Sequence, residues 1–167
     1  NKMKDVDFLV IHSTDTSEAL DLDARTIIEK HTNDKRNGGF GWNRPGFDYL
    51  VLQDGTLETI IPEHSPTEVD LWGISQGRFG ISGNVKNLAY VGGRTLKEAW
   101  WKDTRTEEQT ATLEAVVKFY TIRFPEIIIV GFNEIATKKD SDKPGFSVKE
   151  WLEDLDIPKC NIYQGYQ

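Results

Sequence analysis

An α/β (α+β) fold, with a single mixed β-sheet flanked by helices, is predicted by three features of the sequence. Short β-branched apolar runs recur at "VDFLVIH" (6–12), "NLAYVGG" (87–93) and "IIIVG" (127–131). Helical spacing appears between and after them, most clearly in "TRTEEQTATLEAVVKFYTIRF" (104–124). "FDYLVLQDGTLETII" (47–61) reads as two strands about Asp54-Gly55. Strands and helices alternating in this way pack as layers around one sheet. Repeats and interdomain linkers are absent, so one domain is expected over 1–155, followed by a C-terminal tail, 156–167.

The first strand ends on His12, beside a Ser-Thr-Asp loop. "DARTIIEKH" (23–31) places Ile27, Ile28 and His31 at helical spacing. The loop "NDKRNGGFGWNRPG" (33–46) is long, aromatic and rich in Gly, Asn and Pro. Asp54 and Gly55 both tolerate positive φ, which predicts a hairpin of adjacent antiparallel strands. Residues 62–86 read as irregular, with glycines at 73, 77, 80 and 83, before a return to strand at 87. In 104–124, Thr106 and Gln109 form a capping box, and Leu113, Val116, Val117 and Tyr120 make one stripe. Pro125 stops that helix. Ser147 and Glu150 form a second capping box, opening "SVKEWLEDL".

Composition narrows the function classes. At 167 residues the chain is long enough to bury a core without disulfide or metal staples. Twenty basic residues against 27 acidic ones give a net charge of -7, which argues against a nucleic-acid partner. The single cysteine, Cys160, rules out an intrachain disulfide and a cysteine-based zinc cluster. No apolar run approaches membrane-spanning length. The opening "NKMKDVDFLVIH" lacks the apolar stretch of a signal peptide, and both a cleaved leader and phage-type release stay open. Oligomeric state is not legible.

Several residues carry two readings. His12 is either a structural histidine or a metal ligand at a strand's exit. His31 reads as packing plus stabilisation of a helix C-terminus. His64 reads as surface loop, with a substitute-ligand role as the alternative. Lys138, Lys139, Asp140, Asp142 and Lys143 form either a solvated, self-compensating loop or part of a site. Trp42 and Trp72 stand in long polar loops, where stacking on a sugar or peptide competes with burial. Phe132 is either a core residue capping the sheet or part of a site with a member missing.

The ordered set "VIHST", a helix ending in His31, "GWNRPGFDYLVLQDGT", "AYVGG" with "KDTRTEEQ", and "VGFNEIATKKDSDKPGFSVKEWL" resembles zinc-dependent N-acetylmuramoyl-L-alanine amidases. The similarity is to the phage-lysozyme-type and peptidoglycan-recognition-protein group and covers nearly the whole chain. It implies action on the amide joining the lactyl group of N-acetylmuramic acid to the L-alanine of the stem peptide. It also implies Zn2+ as cofactor and a peptidoglycan fragment or muropeptide as partner. His12 matches the first metal ligand. Phe132 stands where the second, a histidine, is expected, and a phenyl ring cannot coordinate metal. The third ligand falls on Asp142 in one register and on Asp140 in another. The second register also makes Lys138 the oxyanion-stabilising lysine. Phe47 replaces a tyrosine that assists catalysis in phage-type members. Trp42, Trp72 and Asn133 are read as substrate contacts.

Two functions from different classes follow. One is an amidase-family domain acting on or binding peptidoglycan, its catalysis impaired by Phe132, with zinc held by His12, Asp142 and a substitute such as His64 or water. The other is a non-catalytic pseudoenzyme that binds peptidoglycan or protein and needs no cofactor. A third reading, an inhibitor or structural component of a phage-like particle, rests only on the acidic surface.

Overall fold

A computed structural model describes residues 5–61, 67–68, 83–136 and 142–165. Its elements are β1 (Phe8–Ser13), β2 (Thr16–Ser17), α1 (Ala24–Thr32), β3 (Tyr49–Val51), β4 (Leu57–Thr59), β5 (Thr67–Glu68), β6 (Asn84–Tyr90), β7 (Gly93–Arg94), α2 (Glu107–Arg123), β8 (Ile128–Gly131), α3 (Phe132–Ile135) and α4 (Val148–Asp154). Short 3-10 turns cover Lys35–Asn37 and Lys159–Asn161. Among the described residues no helix is long and apolar enough to cross a membrane.

A six-stranded mixed sheet runs β4-β3-β6-β1-β8. β3, β6, β1 and β8 are mutually parallel, as βα crossovers require, and β4 returns antiparallel through the Asp54-Gly55 turn. β1 occupies one edge of β6 along its whole length, so the antiparallel pairing of β5 with Asn84 and Val85 uses the other edge, beyond the end of β3. β2 and β7 form a separate parallel pair.

Strand alternation divides the core. Leu9, Ile11, Leu88, Tyr90 and Ile129 face α2 and α4, meeting Leu113, Val117, Tyr120 and Leu152. Val10, Val85 and Val130 face the other way, beside Phe8, Phe132 and Ile135. Ala89, Leu50 and Ile27 continue that second face under α1. The expected stripe of α2 is buried, and its capping box is complete, with Thr106 and Gln109 exchanging hydrogen bonds of 3.0 Å in both directions.

The structure corrects two boundary expectations. Asn84–Lys86, assigned to the irregular stretch, opens β6; its polar residues mask a strand because Lys86 is fully buried against Asp48. At α4 the cap works in one direction: Ser147 Oγ accepts the Glu150 N–H at 3.2 Å, while Glu150 remains at the exposed surface. Ile157 and Ile162, in the stretch expected to be a tail, join the buried core. The Asn161 amide donates to the carbonyls of Pro125 and Ile127, and the Tyr163 N–H donates to Ile129.

Candidate functional site

His12 reaches the sheet face opposite α2 because it alternates with Ile11, which faces the core. Its ring is 5% exposed and lies between two aromatic rings, Phe47 at 5.1 Å and Phe132 at 5.2 Å between centroids. Nε2 sits 2.8 Å from the Asn87 Oδ1. A carbonyl oxygen only accepts, so the ring proton is on Nε2 and the lone pair on Nδ1. Burial pushes the His12 imidazole down to about 4, with Lys143 and His31 adding to the effect and the Asn87 hydrogen bond opposing it. His12 is neutral at pH 7.

Phe47 links the two histidines, since it also packs edge-on against His31 at 5.1 Å. His31 is enclosed further by Trp42 at 4.7 Å and Phe40 at 5.7 Å. Its Nδ1 accepts the Gly46 N–H at 3.0 Å. A side chain at 46 would meet Trp42 at 3.0 Å and the His31 ring at 3.6 Å, so glycine permits this approach. Burial, helped by Lys30 and Lys143, lowers the His31 pKa to about 4. The packing role expected for His31 is therefore present, but an uncharged ring supplies no cation to the α1 dipole. Trp42 is 48% exposed and Phe40 41%, so both offer ring surface to solvent.

Phe132 is the first residue of α3, directly after β8, and is packed partly into the apolar cluster beneath His12. Gly131 before it is fixed by crowding: a Cβ there would lie 2.8 Å from Val148 and 2.9 Å from the Asn133 Oδ1. The Asn133 N–H donates to the Lys143 carbonyl at 2.8 Å, while its buried Oδ1 has no hydrogen-bond partner among the described residues. Asn133 and Asp142 line a separate polar cavity of ≈ 270 Å³, shared with Glu134 and Ser147. Burial raises the Glu134 carboxyl above the usual carboxylate range.

The structure thus joins His12, Phe47 and Phe132, sets Trp42 beside them through His31, and puts Asn133 and Asp142 together next door. Lys138, Lys139, Asp140, His64 and Trp72 lie outside the described residues. Sequence reasoning missed Asn87 and the Asp48–Lys86 pair behind it. Lys86 Nζ stands 3.6 Å from Asp48 Oδ1, both side chains fully buried, and Asp48 Oδ2 accepts the Asn87 N–H at 2.6 Å. Burial raises the Asp48 pKa, against the pull of that N–H and of Lys86. The signal was available as two polar residues, Lys86 and Asn87, abutting an apolar run.

Structural zinc takes four ligands and catalytic zinc three plus an open position. Among the described residues no three His, Cys, Asp or Glu side chains are grouped to hold a metal. His12 offers Nδ1, but the two rings against it are phenyl groups. The described residues do not fit a zinc centre.

No protein-family model matches the chain, and no curated protein matches it. Solved structures do. The Ph2119 endolysin from Thermus scotoductus MAT2119 bacteriophage Ph2119 superposes with a TM-score of 0.61 at 19% identity, covering 91% of this chain and 86% of that one. The N-acetylmuramoyl-L-alanine amidase LysC from Clostridium intestinale URNW gives 0.62 at 18% identity, covering 92% and 87%. The complex of peptidoglycan recognition proteins LCa and LCx, solved with tracheal cytotoxin bound, gives 0.60 at 12% identity, covering 95% and 85%. The strand order, the helices on the sheet and these superpositions agree: the chain has the fold shared by N-acetylmuramoyl-L-alanine amidases and peptidoglycan recognition proteins.

Proposed function

We propose that the protein binds peptidoglycan fragments at the aromatic cluster around His31, Phe40, Trp42 and Phe47, beside His12, and that amidase chemistry there is impaired. The observation that carries this reading is the enclosure of His12 between Phe47 and Phe132, where a hydrolytic zinc centre needs further ligand atoms. The exposed faces of Trp42 and Phe40 supply stacking surface for a sugar ring or a peptide. In this reading Trp42, Trp72 and Asn133 contact the muropeptide. Ligand capture by a fold neighbour, tracheal cytotoxin on the LCa–LCx complex, supports a binding role for the scaffold.

A working amidase is the competing reading, and its support is that the Asn87 hydrogen bond engages Nε2 of His12 and not Nδ1. It gives Asp142 or Asp140 the third ligand position and Lys138 the oxyanion. One experiment separates the two: cosedimentation with purified peptidoglycan, alongside metal content of zinc-exposed, dialysed protein and release of new L-alanine amino groups. Binding with neither retained zinc nor release is the expected result. About one zinc per chain together with amine release establishes the amidase. Failure to sediment removes the peptidoglycan reading altogether.

A further inference from the structure

Lys143 stands beside the His12–Phe132 pair, next to the loop that leaves β1 at the end that carries His12. Its Nζ lies 5.6 Å from the centroid of the Phe132 ring, which in turn packs 5.2 Å from His12. On its other side it approaches Asp15 Oδ2 at 3.5 Å. Asp15 is already engaged: Arg94 grips both its oxygens, Nε at 2.7 Å and the terminal nitrogen at 3.3 Å. Two cations share one carboxylate here. The Lys143 charge is felt by both buried imidazoles, whereas Lys30 acts on His31 alone.

The Lys143 backbone is held in place. Its carbonyl accepts from the Asn133 N–H, and the next carbonyl, on Pro144, accepts from the buried Tyr90 hydroxyl. The lysine itself is about one-third exposed, so its ammonium is positioned yet open to solvent.

We propose that the Lys143 ammonium, set over Phe132, is an anchoring site for a carboxylate. An ammonium carries three donors; Asp15, which Arg94 also holds, engages it on one side, and the part-exposed remainder suits a further carboxylate oxygen. Only the identity of the natural ligand, a stem-peptide carboxylate, rests on the peptidoglycan-binding reading.

The test uses N-acetyl-D-alanine and its uncharged amide as probes, followed by the His12 imidazole resonances in NMR titrations. The acid should shift those resonances saturably in the wild-type protein, and the amide should not. K143M should weaken the response about tenfold or more, the scale of one charge-assisted contact, while K143R retains it. A wild-type protein that responds equally to acid and amide, or to neither, overturns the proposal. So does a K143M response equal to the wild-type one. Peptidoglycan cosedimentation is read separately, so loss of that binding with a surviving acid response rejects the functional reading and leaves the carboxylate site intact.

Discussion

At the scale of single residues, the two buried histidines govern how the molecule responds to acid. Both imidazoles titrate near 6.5 when unfolded and are lowered to about 4 in the fold, mainly by burial. Between those values the unfolded chain binds more protons, so stability is fully present above pH 6.5 and is lost as pH falls toward 4. For His12, a shift of this size is worth about 3 kcal/mol. Urea unfolding from pH 7 to 4.5 should therefore show a falling midpoint, and H12Q should flatten the slope; an unchanged slope refutes the assignment. Phe132 governs metal affinity. F132H would put a second imidazole against His12 and should raise zinc affinity by about tenfold or more in titration calorimetry. No gain would mean that position 132 is not aligned with a ligand. Trp42 belongs to this scale too: W42A should weaken muropeptide binding by about 1 kcal/mol or more, read as the dissociation constant.

At the scale of elements, α2 is the most locally specified part of the chain. Thr106 and Gln109 close their box within one turn, so T106A should cost about 1 kcal/mol in thermal or chemical unfolding without changing the packing around His12. The β3–β6 pairing behaves differently, because it contains the buried Lys86–Asp48 pair at 3.6 Å. K86M alone should cost about 3–5 kcal/mol by leaving Asp48 buried without its cation, and K86M with D48L should recover much of that loss in a double-mutant cycle. Additive losses would show that the two groups are not coupled. These cases explain what was legible. A cap is a relation between residues three apart, whereas the burial of Lys86 depends on a strand nearly forty residues earlier. The start of β6 was therefore hidden and the start of α2 was not.

At the scale of the whole molecule, the His12–Phe132 contact forms where β1 ends and β8 passes into α3, while α2 and α4 cover the opposite face. Central strands β1 and β6 are paired on both edges, and β4 is paired only to β3. Amide exchange should accordingly be slowest in β1 and β6 and fastest in β4, measured by mass spectrometry or NMR. The sequence by itself determined the alternation of strands and helices, the hairpin, the α2 stripe and the absence of a histidine at 132, because these depend on residue type and short spacings. The tertiary structure alone decided that Phe47 serves two histidines, that Asn87 sets the His12 proton, that Asp142 lines a different cavity with Asn133, and that Lys143 stands over Phe132. Each of those relations joins segments distant in sequence through parallel strand register and loop packing, which periodicity does not encode.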